Sequence, residues 1–211
     1  MNEYHKIQTV FKRDMSSRRK TLIEEDWTLP EFRYLADNMW VFTEKVDGTN
    51  IRVMFQNGAV KFGGKTDAAQ IPAQLVSRLN DLFLTKTQIM ANIFGEDGAC
   101  LYGEGYGAKI QKAGANYRED QDFVLFDVKV GGWWLRRDDV LDVAEKLSLG
   151  IVPVIGHGTL YDAIRMARNG IVSTWGDFTA EGIVARPEVE LKTRNGSRII
   201  TKIKSRDFEQ L

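Results

Sequence analysis

The chain has 211 residues, is 43% hydrophobic, and balances 29 basic against 29 acidic side chains, so its net charge alone announces no polyanionic partner. It lacks the run of about eighteen apolar residues that a membrane-spanning helix needs, and its single cysteine, Cys100, excludes an intramolecular disulfide. With no apolar signal region in the N-terminal stretch "MNEYHKIQTVFKRD", the expectation is a cytoplasmic protein long enough for one well-buried core.

In chain order, the first feature is a charge cluster. Between Phe11 and Lys20, five basic residues (Lys12, Arg13, Arg18, Arg19 and Lys20) stand against Asp14, and the stretch Lys192 to Arg206 is basic again. "TLIEEDWTLPEFRYLADNMW" mixes apolar and charged residues around Pro30 and predicts short helical turns. From Met39, "MWVFTEKVDGTNIRVMFQNGAVKFGGK" alternates around Asp-Gly and Asn-Gly pairs, which predicts antiparallel hairpins. Leu75, Leu79, Leu82, Ile89 and Ile93 recur at helical spacing behind Pro72, so a helix over 71–94, broken near Thr85, is expected to pack on the sheet. "ACLYGEGYG" and "DFVLFDVKVGGWWL" read as strands, 137–147 and 160–168 as helices, and "AEGIVARP" and "SRIITKIK" as the last strands. With no internal repeat or linker, the expectation is a single α+β domain over 1–211, with no separate C-terminal domain.

The stretch "TEKVDGTNIRV" places Lys45 two residues before Asp47-Gly48. A lysine on an amphipathic strand ordinarily just faces solvent. Here Glu44, the Asp47-Gly48 turn and Arg52 gather a carboxylate, backbone amides and a guanidinium around it, a set suited to handling phosphate. A lysine amine becomes a nucleophile once it loses its proton, and its attack on an α-phosphate forms a phosphoramidate. Lys202 and Lys204 alternate with Ile203 and therefore share a strand face. Two neighbouring ammonium groups repel unless an anion lies between them, and a transferring phosphate suits that position.

These residues carry a resemblance. "EKVDGTN" resembles motif I of the covalent lysyl-nucleotidyltransferase superfamily, which comprises DNA ligases, RNA ligases and mRNA capping enzymes. "YGEGYGAKIQKAGANY" resembles its motif III, "DFVLFDV" motif IIIa, "AEGIVARP" motif IV and "IITKIKSRDF" motif V, all in order. Among the subfamilies, the chain looks most like the RNA ligase 2 family of phage and trypanosome RNA ligases. That resemblance implies the α+β nucleotidyltransferase (adenylyltransferase) domain of the ATP-grasp-like DNA/RNA ligase fold, with antiparallel sheets flanked by helices.

The resemblance also implies roles. Lys45 would be the nucleophile that becomes lysyl-AMP; Glu44 would help read the adenine amino group, and Asn50 would act near the ribose and α-phosphate. Arg52 and Lys65 would approach the nucleotide, Lys65 standing where the family has arginine and so unable to offer a bidentate fork. Glu104 would bind the ribose hydroxyls, while Phe126 and Val184 would sandwich the adenine. Glu181 would be the metal-binding carboxylate, and Lys202 and Lys204 would stabilise charge on the phosphates. Asp47 departs from the best-known phage member, which has histidine there. His5, His157, Trp133 and Trp134 form no zinc site, triad or evident stacking platform and receive no role.

The activity implied is an ATP-dependent RNA ligase, using ATP and Mg2+ or Mn2+, that joins RNA 5′-phosphate and 3′-hydroxyl ends through lysyl-AMP and adenylylated RNA. A DNA ligase, a capping guanylyltransferase, or a non-catalytic nucleotide- or RNA-binding module are the alternatives. Family members usually continue into a C-terminal domain beyond motif V, so an accessory protein or domain is an expected partner. The basic Phe11–Lys20 segment is the candidate for compensating RNA contacts, and a phage or bacterial source is expected.

Overall fold

The computed structural model describes residues 3–16 and 21–208. Arg18, Arg19 and Lys20 of the basic segment lie outside the described residues. The chain divides into two compact units: Lys6–Val46 with Pro153–Leu211, and Met1–His5 with Asp47–Val152.

The first of these units is built on a five-stranded sheet in the order Gln8–Thr9, Thr201–Lys204, Gly182–Pro187, Trp40–Lys45, Val154–Gly158. The Gln8–Thr9 strand pairs in parallel with Thr201–Lys204, and the other pairings are antiparallel. Side chains alternate along a strand, so Trp40, Phe42, Ile183, Ala185 and Ile203 fall on one face, where they are buried in a common core. Helix Leu160–Asn169 covers that face with Leu160, Ala163, Ile164 and Ala167, the i, i+3, i+4, i+7 set of an amphipathic helix. Burying its Leu and Ile side chains contributes about 2 kcal/mol each. Thr159 starts the helix: its hydroxyl accepts from the Asp162 amide, and the Asp162 carboxylate accepts from the Thr159 amide, a reciprocal cap. The opposite face of the sheet is left to Thr43, Lys45, Val184, Lys202 and Lys204.

The expected helical turns after Thr21 are only partly present. Leu22–Trp27 is a strand paired with Phe11–Arg13, and Pro30–Tyr34 is a short helix with proline in its first turn. The Val154–Gly158 strand was not expected; its glycines obscured the alternation.

The other unit centres on a sheet in the order Gly150–Ile151, Gln121–Val130, Ala99–Gly107, Thr49–Gln56, Ala59–Gly63, with Trp133–Trp134 pairing to Gln121–Val130. Helices Ala73–Phe83, Thr87–Phe94 and Arg137–Lys146 contribute Leu75, Leu79, Phe83, Met90, Phe94 and Val143 to a core with Ile51, Val53, Leu101, Phe123 and Leu125. The break expected near Thr85 is a 3-10 turn over Leu84–Lys86.

The two Xaa-Gly turns behave differently. Asn57-Gly58 closes a true hairpin, with both residues at positive φ (51° and 73°), the geometry such a loop demands. Asp47-Gly48 does not: Trp40–Lys45 and Thr49–Gln56 belong to different sheets, and neither turn residue has a positive φ. Gly48 is required for another reason. A Cβ there would lie 2.3 Å from the Gly105 carbonyl oxygen and 2.7 Å from Glu104 Cγ.

Candidate active site

Lys45 ends its strand, and Glu181 immediately precedes the neighbouring strand Gly182–Pro187. Gly182 is the cross-strand partner of both Lys45 and Lys204, so the two lysines flank it in one row. Thr43, Val184 and Lys202 form the next row on the same face. The Glu181 carboxylate reaches over this face and accepts from both ammonium groups: Lys45 Nζ donates to Oε2 at 2.6 Å and Lys204 Nζ to Oε1 at 2.5 Å. All three side chains are largely buried.

Burial alone would raise the Glu181 pKa, but the charges and hydrogen bonds of Lys45 and Lys204 outweigh it and hold the carboxyl below its ordinary range. The close strand approach depends on Gly182, whose φ is +152° and whose Cβ, if present, would lie 2.1 Å from the Ile203 carbonyl oxygen. Ser205 donates its amide to the Glu181 carbonyl and its hydroxyl to the Ala180 carbonyl, fixing the backbone from which the carboxylate projects.

Glu44 is not brought to this face. Its cross-strand partner is Ile183, on the core side, and its buried carboxylate accepts from Ser173 Oγ (2.6 Å), the Thr174 amide (2.8 Å) and Thr174 Oγ1 (2.8 Å). The loop so anchored runs back through Ala180, whose amide donates to Ile171 O, directly into Glu181. Ser173 and Thr174 were missed in the sequence because they lie some 130 positions from Glu44, outside every motif.

The other unit holds the remaining candidates. Asn50 and Glu104 are directly opposed across adjacent strands, and Asn50 Oδ1 is buried with no hydrogen-bond partner. An orphaned buried acceptor is uncommon and fits a place for a ligand donor. The Asp47-Gly48 turn beside them is tied down by Tyr117, whose phenolic oxygen accepts from the Asp47 amide, and by Gln111, whose side chain donates to Gly48 O at 2.9 Å. Both belong to the glycine-rich stretch "YGEGYGAKIQKAGANY", although neither stood out within it. The glycines around Glu104 serve packing: a Cβ at Gly103 would meet the Phe123 ring at 2.2 Å, and one at Gly105 would meet Leu75 at 2.4 Å.

Arg52 is fully buried and clamps the loop after Gly63, donating to Gly64 O at 2.9 Å and to Asp67 at 2.6 Å. Lys65 sits exposed in that loop. Phe126 lies at a β-bulge, where the pairing with Ala99–Gly107 shifts register. Bulges re-aim side chains, and Tyr4 packs edge-on against Phe126 at 5.1 Å while its hydroxyl donates to the buried Asp127 at 2.6 Å. Tyr4 and Asp127 were also missed, and nothing in the sequence marks their partnership. Trp134 belongs to the same aromatic group, and Trp133 is exposed. Cys100 is buried, which pushes its thiol pKa up and leaves it inert. Among the described residues, no group of three or more His, Cys, Asp and Glu side chains could by itself cage a metal, and no helix is long and apolar enough to cross a membrane.

A lysine held by a carboxylate that also binds a second lysine, on a sheet face carrying a third, is an arrangement suited to receiving phosphate. The RNA ligase family model matches residues 38–204, and the chain belongs to that family. Among solved structures, it matches the Naegleria gruberi RNA ligase with PPi at 18% identity and TM-score 0.66, covering 85% of this chain and 53% of that one. A mutant of the same protein with ATP and Mn matches at 17% identity and TM-score 0.67, covering 95% and 58%, and another with AMP and Mn at 17% and 0.65, covering 85% and 53%. These likenesses establish the RNA ligase nucleotidyltransferase fold, an α+β architecture of sheets flanked by helices. The chain spans between half and two thirds of the length of these structures. No curated protein sequence matched.

Proposed function

We propose that this chain is an ATP-dependent RNA ligase working through a lysyl-AMP on Lys45. The observation that carries the reading is the single carboxylate of Glu181 bonded to both Lys45 and Lys204, at 2.6 and 2.5 Å. Family membership supports the ligase class, and the ATP, AMP and PPi named with the Naegleria structures support an adenine nucleotide.

In the first step the Lys45 amine, having lost its proton, attacks the α-phosphorus of ATP. The N–P bond forms, the P–O bond to the β-phosphate breaks, and pyrophosphate leaves. In the second, an oxygen of an RNA 5′-phosphate attacks the same phosphorus; the N–P bond breaks and Lys45 regains a proton. In the third, an RNA 3′-hydroxyl attacks the activated 5′-phosphate, forming the phosphodiester and expelling AMP. Each step builds negative charge around one phosphorus, so Lys202 and Lys204 serve throughout.

Glu181 first aligns the Lys45 ammonium, and its carboxylate is the group that would hold Mg2+ or Mn2+. A hard cation that keeps most of its waters and takes further oxygens from phosphate fits a site with one protein carboxylate. When bound, the metal supplies charge neutralisation at the phosphates. Asn50 and Glu104 are assigned to the ribose and α-phosphate, Phe126 and Val184 to the base, and Arg52 and Lys65 to the nucleotide's approach, Arg52 acting by holding the Lys65 loop. Glu44, with its carboxylate committed to Ser173 and Thr174, is assigned to the adenine side through the segment it anchors.

The test is incubation with metal and ATP or GTP labelled at the α-phosphate, for the wild type and Lys45→Ala. Acid-labile label from ATP alone, lost in the variant, is the expected result. Label from GTP would point to capping chemistry. No label from protein already stripped of AMP with pyrophosphate would overturn the reading.

A further inference from the structure

The unit that carries Lys45 also contains an open groove of about 680 Å3 whose lining includes Lys6, Lys12, Arg13, Lys202, Lys204 and Arg206, with Asp207 as its one carboxylate among the described residues. Two of these cations, Lys202 and Lys204, stand on the sheet face that holds Lys45. The others belong to the N-terminal segment around the strands Gln8–Thr9 and Phe11–Arg13 and to the turn after Lys204.

We propose that this groove is a track for the phosphodiester backbone of the RNA strand whose 5′-phosphate reacts at Lys45. Charge is the first argument: among the described residues of the lining, six cations stand with one carboxylate, which Arg13 pairs at 2.6 Å, while Lys204 is held by Glu181. Availability is the second. Lys6 and Arg206 are exposed, and among the described residues Lys12 is held by a surface pair with Asp26, both side chains being about half exposed. Such a pair contributes little and readily exchanges for a phosphate.

The lining also indicates how the strand is read. Its neutral members include Gln8 and Thr28, which can donate to phosphate oxygens, and among the described residues it contains no aromatic ring on which a base could stack. The groove therefore follows backbone and is indifferent to sequence. Its volume of about 680 Å3 exceeds what the two phosphates of a leaving group would occupy. The strand's direction follows from Lys202 and Lys204, which put the reacting phosphate at the groove's inner end. Identifying that end as a 5′-phosphate rests on the ligase reading; the polyanion track does not.

The test uses the full chain with Lys6→Glu, Lys12→Glu and Arg206→Glu combined, and a charge-conserving set with Lys6→Arg, Lys12→Arg and Arg206→Lys combined. All three positions are exposed, and circular dichroism would verify folding. Two quantities are read: AMP label formed from ATP, and affinity for 5′-phosphorylated RNA oligonucleotides of unrelated sequence across a salt series. The expected result is unchanged label, with RNA affinity reduced at least about tenfold for every sequence, a salt slope smaller by about 0.7 for each phosphate no longer neutralised, and recovery in the charge-conserving set. Unchanged affinity and slope would overturn the track. So would a fall in label, or in its reversal by pyrophosphate, with RNA binding intact, since the groove would then serve the nucleotide's phosphates. If the wild type forms no label, the ligase reading fails, and the RNA comparison still decides the groove.

Discussion

Glu44 and Lys45 are covalent neighbours whose side chains are committed to opposite faces of one strand. The Lys45 ammonium donates to Glu181 at 2.6 Å, while the Glu44 carboxylate takes three hydrogen bonds from Ser173 and Thr174. The segment that Glu44 anchors leads within a few residues to Glu181. The pair therefore supports the site from both sides of the sheet: one residue on the reactive face, the other fixing the loop that delivers its partner.

Replacing Glu44 tests that division. Glu44→Ala would leave the Ser173 hydroxyl and the Thr174 amide without their acceptor in a buried place, lowering stability by about 3 kcal/mol in chemical denaturation. Glu44→Gln, which retains one carbonyl oxygen as acceptor, should cost about half as much. Equal stability of all three proteins would refute the anchor.

Gly182→Ala should be far more costly than its small size suggests. The added methyl group would run into the Ile203 carbonyl oxygen at 2.1 Å, so the Gly182–Pro187 and Thr201–Lys204 strands would have to separate, pulling Lys204 away from Glu181. The expected loss is more than about 3 kcal/mol, with AMP labelling abolished. Gly196→Ala is the control: φ there is also positive, at +84°, but nothing lies within 4 Å, and the cost should be about 1 kcal/mol with labelling intact.

The Glu181 carboxyl is held below its ordinary pKa of 4.5. A carboxylate with a depressed folded-state pKa stabilises the fold fully above its unfolded value, and that contribution disappears as pH falls through the folded value. Wild type should therefore exceed Glu181→Gln in stability by about 2 kcal/mol at neutral pH. The gap should close as pH drops below about 4.5. Denaturation curves across acid pH would measure it, and a gap independent of pH would contradict the assignment.

Asn50 separates stability from function. Its Oδ1 is buried without a partner, so Asn50→Ala should leave stability within about 0.5 kcal/mol of wild type, because no satisfied bond is removed. ATP-dependent labelling should nonetheless fall, with the loss appearing as a raised KM for ATP. A variant that unfolds while binding ATP normally would reverse the argument.

Much of the site was legible because its chemistry is local. Lys45, Glu181, Lys202 and Lys204 lie in short strand-bound motifs, and period-two alternation was enough to put Lys202 and Lys204 on one face. The same rule, applied to "EK", separates Glu44 from Lys45, although the family pattern had placed both around the nucleotide. What stayed hidden was set by tertiary structure. The Asp47-Gly48 pair carries the chemical signature of a hairpin but joins two sheets, because the fit of Gly48 against Glu104 and Gly105 decides the turn. The hold of Ser173 on Glu44, and of Tyr4 on Asp127, spans more than a hundred residues and leaves no periodicity to read.

The parallel pairing of Gln8–Thr9 with Thr201–Lys204 has a consequence for the timing of folding. The Thr201 hydroxyl donates to the Gln8 carbonyl across 193 residues, so the edge of the sheet that carries Lys45 joins segments far apart in sequence. Synthesis runs from the N-terminus, and Lys45 emerges long before Glu181 or Lys204 exists to meet it. A nascent chain therefore carries Lys45 without its carboxylate partner, and contacts this distant in sequence form slowly. On the proposed reading, reactivity toward ATP is therefore withheld by topology until the Thr201–Lys204 strand has joined its sheet.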